Sequence, residues 1–223
     1  MGIASVLERW FSRSATEVSL EDGYARWAPL YPPRPHNAVM EVEAKVVASL
    51  FRAIVPRRAL DVGTGTGRNL ALLEEAGAQS AVGVDLSPAM LSHAAASATR
   101  VQADARYLPF SGARFDLVVS SLMCGDVPEP APWLSEAARV LVRGGHLIYS
   151  DFHPSWASSG WRRTFTGADG LLYQLPYFPH PIEQHIDLLN ACGFEVRTIR
   201  EPKLADRTAP IVVVLHAVKR NGD

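Results

Sequence analysis

Residues 59–67 read Ala-Leu-Asp-Val-Gly-Thr-Gly-Thr-Gly, and the fold turns on them. A short apolar run at 59–62 is stopped by three alternating glycines. A helical pattern then runs over 69–76 and meets Gly77, a natural C-cap. Glycine permits a tight turn and lets backbone N–H groups approach a ligand closely. With glycine near 7% of residues, GxGxG arises by chance roughly once in a dozen chains this long. Its seat between a strand and a helix makes it far more specific. The plain alternative is a glycine-rich turn with no ligand.

Working outward, the chain alternates strand and helix. Strands are expected at 81–84, 100–103, 115–120, 146–149, 195–200 and 211–218, besides 59–62. Ser87-Pro88 supplies a cap and a first-turn proline for a helix to about Ser97. Further helices are expected at 132–141, broken by Gly144-Gly145, and at 181–192, stopped by Gly193. Upstream, Val39, Val42, Val46, Leu50 and Ile54 recur at close to helical spacing over 38–54. Alternating elements argue for an α/β fold, a parallel sheet with helices on both faces. Only residues 201–210, bounded by prolines, join the last two strands. A parallel crossover needs a dozen or more residues, so the last strand should run antiparallel. The expectation is a Rossmann-like seven-stranded sheet with its last strand reversed, plus an N-terminal helical cap.

Three acids sit at three consecutive strand ends: Asp61, Asp85 and Asp104. Asp85 can take both hydroxyls of a ribose, and Asp104 can accept from an exocyclic amine of a base. Each alone reads as readily as a cap or a loop acid. Together, beside the glycine turn, they favour a nucleoside site at the carboxyl ends of the strands. A nicotinamide cofactor prefers GxGxxG, and Asp61 would repel its pyrophosphate. Asp61 suits a ligand carrying an ammonium and a sulfonium, and S-adenosylmethionine has both.

The stretches LDVGTGTG (60–67), VGVDLSPAML (82–91), ADARYLPF (103–110), FDLVVSSL (115–122) and LVRGGHLIYSDF (141–152) resemble the motifs of class I S-adenosylmethionine-dependent methyltransferases, more narrowly the small-molecule methyltransferase type 11 group. The resemblance covers about residues 20–220 with the motifs in order. It implies that Asp61, Gly63, Thr64, Gly65 and Gly67 wrap the methionine end. It further implies that Asp85 holds the ribose, Leu86 flanks the adenine, and Asp104 and Ala105 meet its edge. Ser120 and Ser121 would lie beside the sulfonium. Tyr24 and Arg34 would contact the methionine carboxylate or close the pocket. Many relatives carry a histidine after the fourth strand. Here the residues are Leu122-Met123-Cys124-Gly125-Asp126, so that role does not transfer.

Methyl transfer from a sulfonium needs alignment and exclusion of water, and a base only if the acceptor must lose a proton. His153, just after the fifth strand, is the expected base, which makes oxygen the preferred acceptor atom. Tyr31, Trp156, Arg162, Arg163, Tyr173 and His180 are the expected acceptor contacts. Arg162 and Arg163 would pin an acidic group by forked hydrogen bonds. The alternatives are a solvated hairpin for the arginines and simple lid anchorage for the aromatics. Residues 153–180 form the longest insertion, the expected lid; loops of this length are often functional.

The chain has 223 residues, about one and a half domains at roughly 150 residues each. The expected division of one methyltransferase domain is a cap at 1–56, a cofactor core at 57–152 and 181–220, and the lid. Twenty-two basic against 23 acidic residues give a net charge of -1. That argues against nucleic acid as the partner and for an enclosed small-molecule acceptor. Two cysteines exclude a disulfide scaffold. Short apolar runs give no membrane span, and Met1 to Trp10 has no signal core, so a cytoplasmic monomer or homodimer with no metal is expected. The rival readings are a carrier-bound acid as acceptor, a nicotinamide oxidoreductase, or a nucleoside-binding module without turnover.

Overall fold

The computed structural model describes residues 15–95, 98–205 and 207–221. Residues 1–14, where the expected cap begins, and 96–97, the expected end of the helix from Pro88, lie outside the described residues. The described chain opens with β1 (Thr16–Glu17), α1 (Leu20–Trp27) and α2 (Ala38–Ile54). The glycine turn lies between β2 (Arg58–Val62) and α3 (Arg68–Glu75). Then come β3 (Ser80–Asp85), α4 (Pro88–Ser92), β4 (Thr99–Gln102) and β5 (Phe115–Ser121). A 3₁₀ turn (Cys124–Asp126) leads to α5 (Ala131–Val140) and β6 (Leu141–Phe152). The lid holds α6 (Ser155–Ser158), β7 (Thr164–Thr166) and β8 (Leu172–Gln174). The chain closes with α7 (Ile182–Ala191), β9 (Phe194–Arg200) and β10 (Val212–Lys219).

Seven strands form one sheet in the order β4-β3-β2-β5-β6-β10-β9. Pairings among β4, β3, β2, β5 and β6 are parallel. Strand β10 is antiparallel to both β6 and β9. The reversed strand deduced from the short 201–210 connection is therefore present. Buried residues alternate between the faces, as strand geometry requires. Leu60, Val118, Leu147, Tyr149 and Leu215 pack under Trp133 of α5 and Leu189 of α7. Ala59, Leu117, Val119, Ile148 and Val214 pack under Val47 and Phe51 of α2 and Leu73 of α3. Each of the buried valine, leucine, isoleucine and phenylalanine side chains contributes about 1.5–3 kcal/mol by leaving water. Asn37 caps α2 by accepting from Met40 N at 2.9 Å.

Two boundaries differ from the sequence reading. Strand β6 runs over twelve residues rather than four, because β5 and β10 pair with its two edges. Gly144 and Gly145 lie inside it instead of preceding it. Helix α4 is shorter than expected, ending at Ser92.

The lid and the cap join in a second sheet, β1-β8-β7. Thr16 pairs with Tyr173, and β8 returns against β7. Phe165, Tyr173 and Leu175 form its core with Val18, Leu20 and Trp27. Cap and insertion are thus one roof over the carboxyl ends of β2, β3 and β5.

Candidate active site

A cavity of about 550 Å³ lies between that roof and the strand ends. Its size falls within the roughly 300–1,000 Å³ usual for small-ligand sites. One wall is the glycine turn, Gly63 to Gly65, with Asp85, Leu86, Asp104 and Ala105. The other carries Tyr24, Trp27 and Tyr31 from the cap, Asp126 from the 3₁₀ turn, and Phe152, Trp161 and Arg163 from the lid side.

The turn is shaped by what a side chain would hit. Gly63 has φ +71°, and a Cβ there would meet Met123 at 2.6 Å. Gly83 passes so close beneath the turn that a Cβ would strike the Thr64 side chain at 2.7 Å. Gly63 N and Thr64 N both donate to Val84 O, fixing the turn against β3. Asp85 accepts from Gly65 N at 2.7 Å and Ser87 N at 2.8 Å. Burial raises its carboxyl above the ordinary range, and those two N–H groups offset part of the rise. Leu86 stands 64% exposed at the rim, an apolar face offered to a flat ring.

Asp61 is fully buried. Its Oδ1 accepts from Asn69 Nδ2 at 3.0 Å, and the same amide reaches Ser121 Oγ at 3.1 Å. Its Oδ2 has no partner. The Thr64 hydroxyl is near but makes no hydrogen bond of proper geometry. Desolvation lifts the Asp61 carboxyl to about 6, and the Asn69 bond only partly restrains it. An unpaired buried carboxylate beside the turn fits a cationic amine, as an ammonium would supply the missing partner. The groups present therefore fit S-adenosylmethionine: a carboxylate for its amine, a second for its ribose, and a glycine cradle between.

The roof wall holds a second charged cluster. Tyr24 Oη donates to Asp126 Oδ2 at 2.5 Å, and Arg163 Nη2 donates to Tyr24 Oη at 2.5 Å. Arg163 also pairs directly with Asp126. Burial pushes Asp126 and Tyr24 up, while Arg163 pulls both partly back. Burial works against the Arg163 charge, but Asp126 and Tyr24 outweigh it and keep the guanidinium protonated.

A methyltransferase domain family matches residues 60–149. A malonyl-[acyl-carrier protein] O-methyltransferase from Herminiimonas arsenicoxydans is 33% identical, over 79% of this chain and 67% of its own length. The chain belongs to the class I S-adenosylmethionine-dependent methyltransferases. A ubiquinone biosynthesis O-methyltransferase from Alkalilimnicola ehrlichii is 29% identical, over 72% of this chain and 67% of its length. An S-adenosylmethionine dependent methyltransferase from Mesorhizobium loti superposes with a TM-score of 0.61 at 22% identity, over 76% of this chain and 96% of that one. S-adenosylmethionine is the methyltransferase's cofactor, and the nicotinamide reading falls with the topology.

Of the expected cofactor residues, Tyr24, Gly63, Thr64, Gly65, Asp85, Leu86, Asp104 and Ala105 line the cavity. Asp61 and Gly67 are not among the lining residues; Gly67, at φ +88°, is the N-cap of α3. Ser121 faces the cavity and Ser120 is buried beside it. Strand alternation sends neighbouring side chains to opposite sides. Arg106 clamps the Asp104 carboxylate through Nε and Nη2 and holds it below the ordinary carboxylate range. Arg34 is exposed and off the cavity wall; its backbone bends back to Pro32 O.

The expected acceptor set divides. Tyr31 and Arg163 line the cavity. His153 does not: its Nδ1 meets Ser155 Oγ at 2.7 Å and its Nε2 meets Glu201 at 2.9 Å. Pro154 and α6 turn the chain there, directing the ring to the connection before β10. Trp156 anchors the lid, donating to Pro210 O at 3.1 Å. Tyr173 stacks on Phe165 and donates to Asp169, inside the roof core. His180 does not line the cavity; its Nε2 meets the carbonyl of the wall residue Val127 at 2.9 Å. Arg162 is exposed, reaching only to Gln174 at 3.4 Å.

Asp126, Asn69 and Arg68 are cavity residues that the sequence reading did not single out. Arg68 pairs with fully buried Glu43 at 2.9 Å, and Ser150 Oγ completes Glu43 at 2.7 Å. Glu43 falls on the buried face of α2, between Val39 and Val47. A carboxylate on an apolar stripe is the signal that could have exposed this network.

Proposed function

We propose that the enzyme methylates an oxygen of a small acceptor enclosed under the roof, with Tyr24 and Asp126 taking the proton. The part-buried Tyr24–Asp126–Arg163 cluster on the roof wall of the cavity carries this reading. When bound, S-adenosylmethionine supplies a methyl group already activated on sulfur. Asp61 would hold its ammonium, Asp85 its ribose hydroxyls, and Leu86, Asp104 and Ala105 its adenine.

The remaining work is alignment and a proton. An acceptor hydroxyl placed against Tyr24 gives its proton to the phenolic oxygen. The tyrosine proton moves along the 2.5 Å bond to Asp126. Burial makes that carboxylate a stronger base than an exposed one. Arg163 keeps the pair oriented and compensates its charge. Trp27, Tyr31, Phe152 and Trp161 offer an aromatic lining that excludes water and suits a flat, partly apolar acceptor. Two relatives named as O-methyltransferases agree with an oxygen acceptor.

A carrier-bound acid read by paired arginines has less support, since Arg162 points to solvent while Arg163 is committed to Asp126. His153 as the base would require a lid movement breaking its bonds to Ser155 and Glu201.

The test is turnover of S-adenosylmethionine with a panel of small phenols, enols and carboxylic acids, followed by release of S-adenosylhomocysteine. Tyr24→Phe and Asp126→Asn should cut the rate on a phenol by roughly 10²–10⁴ while leaving S-adenosylhomocysteine bound. Full turnover in both variants would overturn the assignment.

A further inference from the structure

Outside the cavity lining, beside Gly125, lies a separate cluster. Cys124 on the 3₁₀ turn, Asp151 on β6 and His185 on α7 bring one ligand atom each to within 4.8 Å of one another. All three side chains are buried, and none lines the methyl-transfer cavity. We propose that they form a metal site for a borderline-soft divalent cation, with zinc the best match.

The donor set favours it. Thiolate, imidazole and carboxylate are the three ligand types zinc takes. One thiolate and one carboxylate cancel the ion's two charges, which a fully buried site requires. Two of the ligand groups also keep an unpartnered atom. Asp151 Oδ1 is occupied by Phe152 N at 2.8 Å, and Oδ2 has no partner. His185 Nδ1 is bonded to Tyr149 Oη at 3.1 Å, and Nε2 has no partner. With Nδ1–H donating to the tyrosine oxygen, the Nε2 lone pair is left for a ligand. That second-sphere partner is what metal-bound histidines need.

A hydrogen-bonded cluster without metal would join Oδ2 to Nε2, and here both are orphaned. Tetrahedral zinc sets ligand edges of roughly 3.3–3.8 Å, so the three atoms need close by only about an ångström. Water takes the fourth position. The ion would tie the end of β5 to β6 and α7. It would also fix the turn that presents Asp126, making the site a buttress for the roof cluster rather than part of the transfer step. Binding displaces the thiol proton and any carboxyl proton to solvent.

The experiment loads the metal-stripped full chain with cobalt(II) as a spectroscopic stand-in, and with zinc for elemental analysis. The expected results are about one equivalent of metal, a near-ultraviolet sulfur-to-cobalt band and a higher unfolding temperature with zinc. Cys124→Ser should abolish the band. Cys192→Ala, which alters the other cysteine, should keep it. His185→Gln should weaken metal binding at least tenfold while S-adenosylhomocysteine still binds, and it serves if Cys124→Ser does not fold. A folded wild-type chain with no cobalt band, or a band that survives Cys124→Ser, would overturn the proposal.

Discussion

Asp61→Asn separates what the glycine turn does for the cofactor from what it costs the fold. The Asp61 carboxyl is lifted from 3.8 to about 6 by burial. That gap of roughly two units corresponds to about 3 kcal/mol. The sign follows from proton counting. Between pH 4 and pH 6 the folded chain keeps a proton the unfolded chain has released. Stability of the cofactor-free protein is therefore full below pH 4 and declines as pH rises through 6. Asparagine removes that decline, so the variant should be more stable at pH 7 by up to about 3 kcal/mol in denaturant unfolding. Cofactor binding runs the other way. The ammonium favours ionised Asp61, so affinity should rise with pH. With the carboxyl at about 6, its ionised fraction rises about tenfold between pH 5 and pH 7, a gain of up to about 1.4 kcal/mol for a ligand that pairs only with the carboxylate. Calorimetry with S-adenosylhomocysteine, which keeps the same amine, reads this directly. The variant should bind more weakly at pH 7 and lose the slope. A flat wild-type profile, or an unchanged slope in Asp61→Asn, would refute the amine–carboxylate pairing.

Gly63→Ala places a Cβ 2.6 Å from Met123 at a φ of +71°; cofactor binding should fall at least tenfold by calorimetry, with unfolding easier by about 1–3 kcal/mol. Arg163→Met strands the largely buried Asp126 carboxylate and should cost up to about 3–5 kcal/mol in denaturant unfolding, much of it recovered when Asp126→Asn is added. His153→Gln should leave the rate on a responsive phenol within about twofold of wild type, since the ring is occupied by Ser155 and Glu201.

The fold was largely legible because its signals are local. A glycine turn between a strand and a helix, and a final connection too short for a crossover, set the sheet and its reversed strand. The length of β6 was not legible, because both its edges are paired by strands distant in sequence. The same holds for the roof: β1 is two residues long, and nothing local announces its pairing with β8. On the cofactor side, two of the three strand-end acids, Asp85 and Asp104, line the cavity, since strand ends fix place; Asp61 does not. On the acceptor side, His153 shows the limit. Its position after β6 was right, but its direction is set by Glu201 and the turn at Pro154. Asp126 was not legible because its partners Tyr24 and Arg163 come from the cap and the lid, distant in sequence.

In the proposed mechanism one cavity holds cofactor and acceptor, with the reacting methyl aimed at the roof cluster. A crystal structure with S-adenosylhomocysteine tests it most directly. The expected result is the ribose on Asp85, the amine on Asp61, and the sulfur facing Tyr24 and Asp126 across room for one small acceptor. A sulfur turned away from that pair, or a ribose off Asp85, would contradict it.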